Sequence, residues 1–172
     1  MDLLKLAALD QEDLDVLSAH VQDAVLTVGD LVFLKKEGRF LATLNRFAWE
    51  NDGEKKERRR AAVHFDRVTR VRSHNIRQDA KDGVLSLLSV RFTAKAEEDP
   101  SGIVELVFSG GGALRLDVEC IEAQLTDLGA SWVTDSMPSH DLSGTEDMAR
   151  DRLDDASDDA TGTTPEDATG KA

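Results

Sequence analysis

Arg58, Arg60, Arg70 and Arg72 are the residues whose type and spacing speak most directly to chemistry. Side chains two apart on a strand leave the same face about 7 Å from each other. A guanidinium carries a planar fork of donors that matches carboxylates and phosphates. Pairs at 58/60 and 70/72 would therefore hold an anionic partner, with Trp49 as an apolar anchor beside them. The plainer reading of the same residues is a solvated sheet face, neutralised by acids elsewhere in the fold. All four arginines lie in the window 55–77, which has nine bases and two acids and nets +7 within a chain of net charge −13.

Other reactive residue types carry less. His20, His64, His74 and His140 show neither His-x-x-x-His nor Glu-x-x-His spacing, so no metal site is expected. His64 and Asp66, two apart, are a base and an orienting carboxylate with no serine or cysteine nucleophile fixed near them in sequence. Cys120 is the single cysteine, which excludes an intramolecular disulfide and a cysteine-based zinc cluster. It falls near an expected helix start, where the dipole favours a thiolate, but Glu119 and Glu122 oppose that effect. Gly110-Gly111-Gly112 lacks the lysine and Ser/Thr of a phosphate-binding loop and reads as a hairpin turn. No catalytic residue and no cofactor is assigned on these grounds.

The acidic excess, 34 Asp and Glu against 21 Lys and Arg, removes the bulk basic footprint of a nucleic-acid binder, and nucleic acid is not an expected partner. No apolar run approaches about 18 residues, so no membrane span is expected. The N-terminus lacks the basic and apolar regions of a secretory signal, and a cytoplasmic location is expected. Residues 135–172 hold eleven acids and three bases, and no Val, Ile, Phe or Trp follows Val133. Such a stretch buries too little apolar surface to offset the entropy of ordering it. The expected organisation is a globular domain over 1–134 followed by an acidic disordered tail, with at most a short helix at 146–153. The tail nets −8 and is tethered to the +7 window, so an intramolecular contact between the two is expected to compete with anionic partners.

The elements that must position these residues follow from periodicity. Leu3 to Ala8 reads as a strand. Asp10 offers an N-cap to a helix with Leu14, Leu17 and Val21 on one face. Strands are expected at 24–28, 31–36, 39–47, 60–65, 67–73, 84–93, 103–108 and 113–117, joined by turn signals at Gly29-Asp30, Glu37-Gly38, Asp66, Lys81-Asp82-Gly83 and 109–112. Val118, Ile121, Leu125 and Leu128 fall at 3-4-3 spacing and predict a C-terminal amphipathic helix over 118–128, capped by Asp117 and closed by Gly129. Short connections favour an antiparallel sheet. The fold class is α+β, a mostly antiparallel β roll or split barrel of pleckstrin-homology-like type, with an N-terminal helix and that C-terminal helix.

Several strings resemble one family. They are Leu-Ala-Ala-Leu-Asp-Gln-Glu-Asp-Leu (6–14), Leu-Ser-Ala-His-Val-Gln-Asp-Ala-Val (17–25), Arg-Phe-Leu-Ala-Thr-Leu-Asn-Arg-Phe-Ala-Trp-Glu (39–50), His-Phe-Asp-Arg-Val (64–68) and the stretch from Gly110 to Leu125. Over residues 3–140 the chain is similar to the domain of unknown function 2948 family, found mostly in alphaproteobacteria. The resemblance implies a bacterial cytosolic protein and brings no catalytic or binding residues to carry over. The function expected from the residues is a non-enzymatic binding or scaffolding module. It would recognise an acidic protein or phosphorylated ligand through Arg58, Arg60, Arg70, Arg72 and Trp49. An enzyme or enzyme subunit built around His64 and Asp66 is the alternative, and a nucleic-acid binder restrained by its acidic tail is the second alternative.

Overall fold

The computed structural model describes residues 3–50 and 57–133. The expected acidic tail, the short helix at 146–153, His140, Lys55 and Lys56 lie outside the described residues. Among the described residues ten strands and one α-helix occur in the order β1 (Lys5–Ala8), α1 (Gln11–Val21), β2 (Ala24–Thr27), β3 (Leu31–Leu34), β4 (Arg39–Phe47), β5 (Glu57–Phe65), β6 (Val68–His74), β7 (Val84–Ala94), β8 (Gly102–Phe108), β9 (Ala113–Val118) and β10 (Ala123–Val133).

Every pairing is antiparallel, and the sheet runs β1-β10-β5-β4-β2-β7-β8-β9-β6, with β3 also pairing to β4. One edge of β4 is divided between β2, opposite Asn45, and β3, opposite Arg39 to Ala42. Among the described strands the two ends, β1 and β6, do not pair with each other, so the roll stays unclosed.

Alternation explains the packing. Phe40, Ala42 and Leu44 of β4, Ala61, Val63 and Phe65 of β5, and Ala123 and Leu125 of β10 turn inward and are buried. The helix forms as expected: Asp10 accepts the Asp13 amide at 2.8 Å, and Leu14, Leu17 and Val21 are fully buried. It packs against β7 and β1. The pairing of β7 with β8 slips between Leu87 and Ser89, and the Val90 amide next to this bulge donates to Ser18 Oγ at 2.8 Å.

The helix expected over 118–128 is not found. Val118 ends β9, Glu119 and Cys120 form a bend, and β10 begins at Ala123. The helical stripe was a coincidence of two periods. Ile121 and Leu125 are also an even number of residues apart, so a strand buries both, with Ala123 between them. Leu128, the fourth member of the stripe, is 53% exposed. Local spacing lost to the free edges of β5 and β1, which β10 joins. Gly129, expected to close a helix, has φ +89° in the irregular stretch where the β10–β5 register shifts. Asp117, expected to cap the helix, pairs instead with Arg72. Among the described residues no helix is long and apolar enough to cross a membrane.

Candidate functional site

The arginine run of β5 is divided by the pleat. Arg59 shares the inward parity of Ala61, Val63 and Phe65 and is 5% exposed, whereas Arg58 and Arg60 face outward. On β4, continuing the inward row of Phe40, Ala42 and Leu44 by two residues reaches Arg46, which is fully buried. The two inward arginines meet carboxylates. Arg46 binds Asp127 through Nε at 2.8 Å and Nη2 at 2.9 Å, and Glu50 through Nη1 at 2.9 Å. Arg59 donates to Glu57 at 3.0 Å and lies 3.4 Å from Asp127. Asp127 also accepts the Leu4 amide at 2.9 Å, and His20 Nδ1 lies 3.5 Å from Glu50.

Burial pushes the Asp127 carboxyl up, but the Arg46 hydrogen bonds, the Leu4 amide and Arg59 outweigh it and hold the group below its ordinary value. Burial likewise pushes Glu50 up, and its hydrogen bonds, that of Arg46 foremost, bring it below the ordinary value. Burial disfavours the Arg46 cation, yet Asp127 and Glu50 raise its pKa above the usual guanidinium value. Groups with depressed folded pKa values stabilise the fold above their unfolded values, about 3.9 for Asp and 4.3 for Glu. That stabilisation is lost as pH falls through the lower, folded values. Thermal midpoints should thus be flat above about pH 5 and fall steadily below about pH 4. In Arg46→Met, where the cation that depresses both carboxyls is gone, the acid-side slope should be visibly shallower.

The outward arginines fall into two groups, because β4, β2, β7, β8 and β9 lie between β5 and β6 in the sheet. In the first group, Arg60 binds Asn45 Oδ1 at 3.1 Å and Asp30 at 3.0 Å. Arg58 reaches only the carbonyls of Asp23 at 3.5 Å and Asn45 at 3.4 Å, and forms no carboxylate pair among the described residues. The register places Arg58 between Phe47 on β4 and Trp132 on β10. Directly opposed antiparallel side chains share a face, but Phe47 is buried at 5% exposure, so it supports Arg58 and Trp132 from beneath while those two form the outward row. Trp49 completes it: its ring lies 4.5 Å from that of Phe47, tilted by 50°, and its indole N–H donates to the Gln22 carbonyl at 3.3 Å. Trp132 is 40% exposed and Leu128, nearby on β10, is also exposed.

In the second group, Arg70 and Arg72 stand on the outer face of β6, opposite Asp117 and Arg115 of β9. Arg72 pairs with Asp117 at 2.8 Å, and Arg115 pairs with Glu105 at 2.8 Å. Arg70 is exposed and has no ion pair among the described residues. The single basic face joining 58/60 to 70/72 is therefore not formed. Other members of the basic window are neutralised by the folded body: Arg67 pairs with Glu122 at 3.3 Å and Arg77 with Asp79 at 3.2 Å.

The fold does bring His64 and Asp66 together, with Nδ1 3.4 Å from Oδ2. Asp66 spends its other oxygen on Arg39 Nε at 2.7 Å. Cys120 is half-buried in the β9–β10 bend, away from any helix start. Among the described residues no group of three or more His, Cys, Asp or Glu is placed to hold a metal ion.

Sequence reading missed Arg46, Arg59, Asp127 and Trp132. The first two were accessible from strand parity, since both extend an apolar row by two positions. The others were hidden by assigning 118–128 to a helix.

The chain belongs to the family described as "Protein of unknown function (DUF2948)", which it matches over residues 4–140. No curated protein and no solved structure matches it.

Proposed function

We propose that this member of the family is a non-enzymatic protein-binding module, and that the row Trp49–Arg58–Trp132, backed by the buried Phe47, is its contact surface for an acidic partner. The observation that carries this reading is Arg58 itself. It is an outward guanidinium flanked by aromatic side chains on both neighbouring strands, with no carboxylate partner among the described residues. Aromatic residues and arginine dominate the energetics of protein contacts, because each buries a large area at low entropic cost. A carboxylate from a partner would compete only with two long carbonyl contacts for the Arg58 fork and would meet the exposed Trp132 ring beside it. Arg60 borders the row but is engaged by Asp30, so its role is secondary. Arg70 and Arg72 belong to a separate surface.

The enzyme reading is weaker. Asp66 is held by Arg39, and no hydroxyl or thiol hydrogen-bonds to His64 among the described residues.

Both tryptophans of the chain lie in the proposed surface, so binding reports on itself. Poly-L-glutamate titrated at low salt should change the tryptophan emission saturably. The apparent affinity should drop steeply with added salt and by at least about tenfold in Arg58→Glu. Inositol hexakisphosphate run in parallel separates a phosphate ligand from a carboxylate one. A wild-type emission indifferent to both polyanions would overturn the proposal.

A further inference from the structure

The unclosed side of the roll leaves two strand edges that the Arg58 row does not include. β3 is paired only to β4, and β6 only to β9, so each has a free edge among the described strands. The two strands meet at one point, where the Val68 amide donates to the Gly38 carbonyl at 2.9 Å. Beyond that point no ladder joins β3 and β6 among the described strands. A cleft of about 290 Å³ opens there, lined by Leu31 and Phe33 of β3, Val71 of β6, Phe40 and Leu114 below, and Lys81 as its only charged group.

The chemistry of the two sides differs. The inward residues of β3 and β6 at the cleft are apolar apart from Ser73. On the outside, β6 carries Arg70 and Arg72, while β3 carries Val32, 41% exposed, and Leu34, 38% exposed. An apolar edge strand left open is normally blunted by charge, proline or a covering element, because its unpaired amides and carbonyls template another strand. Here the β3 edge, Leu-Val-Phe-Leu, has only its shortness and the Lys35-Lys36 that follow it to limit such pairing.

We propose that an extended segment of a partner protein adds as a strand between β3 and β6, with apolar residues at alternate positions turned into the cleft and acidic residues turned outward toward Arg70 and Arg72. Main-chain pairing supplies affinity, and the alternating side chains supply specificity. The charge on β6 selects acid for its outward side chains, since Arg70 has no partner and Arg72 only Asp117. The four residues of β3 set the paired length at about four residues, some 13 Å. The chain's own residues 135–172 do not fit this pattern, because their Met137, Leu142, Met148 and Leu153 never fall at alternate positions.

The test uses the full chain and a nine-residue capped peptide of alternating Glu and Val. Two controls accompany it: a block isomer of the same composition and a Lys/Val counterpart. Backbone amide NMR shifts and hydrogen exchange are the readout. The alternating acidic peptide should shift and protect amides in 31–34 and 71–74, and bind at least tenfold tighter than either control. Arg70→Glu, at an exposed position, should weaken it severalfold. Ser73→Trp, which fills the cleft from its rim, should abolish it. Arg58→Glu should leave it unchanged, which separates this site from the one proposed above. Equal binding of the block isomer would overturn the proposal. So would decanoate shifting these amides where the peptide does not, or self-association of the chain through the same strands without peptide binding.

Discussion

Replacing Asp127 with alanine is expected to cost about 3–5 kcal/mol of folding stability, read as the shift of the urea midpoint at pH 7. Arg46 and Asp127 have fully buried side chains facing each other across β5. Removing the carboxylate leaves a guanidinium in the core with only Glu50 to answer it, and Glu50 is part-exposed. It also strips the Leu4 amide of its acceptor and Arg59 of its second partner. A buried charge that loses its partner costs far more than the pair contributed, because the desolvation penalty is no longer offset. The pair Arg46→Met with Asp127→Leu should therefore recover at least half of that loss, since no charge then needs compensation at either position. A double variant as unstable as Asp127→Ala would mean that the network's geometry, and not its charge balance, holds β1, β10 and β4 together.

This network also shows where sequence reading reaches its limit. The strand pattern of β2 to β9 was legible because turn residues punctuate it: Gly38 takes φ +61° between β3 and β4, and Arg67 takes φ +59° at the turn beside Asp66. Helix α1 was legible from its cap and its three buried residues. β10 was not, because Ile121 and Leu125, four apart, satisfy a period of 3.6 and of 2 together. Only the presence of two unfilled strand edges decides between them. That one error hid Asp127 and Trp132. The outward parity of 58/60 and of 70/72 was also legible from local alternation. Their separation was not, because it depends on the order of strands in the sheet. Two pairs of arginines twelve residues apart in sequence end on strands with five others between them in the ladder order, an arrangement that no local pattern encodes.

The same separation gives the basic window a different meaning from the one its net charge suggests. Its +7 is largely spent inside the molecule: Arg59 on Glu57 and Asp127, Arg60 on Asp30, Arg67 on Glu122, Arg72 on Asp117 and Arg77 on Asp79. What remains for a partner is selective rather than bulk charge. Arg58 and Arg70 are the members of the window without a carboxylate partner among the described residues, and each borders apolar surface. Point recognition of carboxylates beside aromatic or aliphatic anchors fits that distribution better than a polyanion laid along a continuous face.

Phe65→Ala is expected to lose about 3–5 kcal/mol, and Phe65→Leu clearly less, by the same denaturation measurement. Phe65 is 1% exposed on β5, with Phe40 opposite on β4 and Ala123 opposite on β10. The neighbouring inward rows repeat the pattern: Val63 lies beside Ala42, and Ala61 beside Leu44. Across β4, β5 and β10 each inward row thus sets one alanine against two larger side chains, and this alternation from row to row fills the interior at a fixed strand spacing of about 4.8 Å. Truncating Phe65 puts an alanine beside Ala123, and neither can reach across the void. The strands cannot close it either, since β4, β5 and β10 are held at ladder distance by their own hydrogen bonds. The cost should therefore fall toward the upper part of the range, where a site collapses poorly. A second change, Ala123→Leu on the Phe65→Ala background, restores volume from the opposite strand and should regain a good part of the loss. Ala123→Leu alone should destabilise, because it overpacks an intact Phe65. If both single variants are mild and the double shows no coupling, the interior is not organised by this alternation.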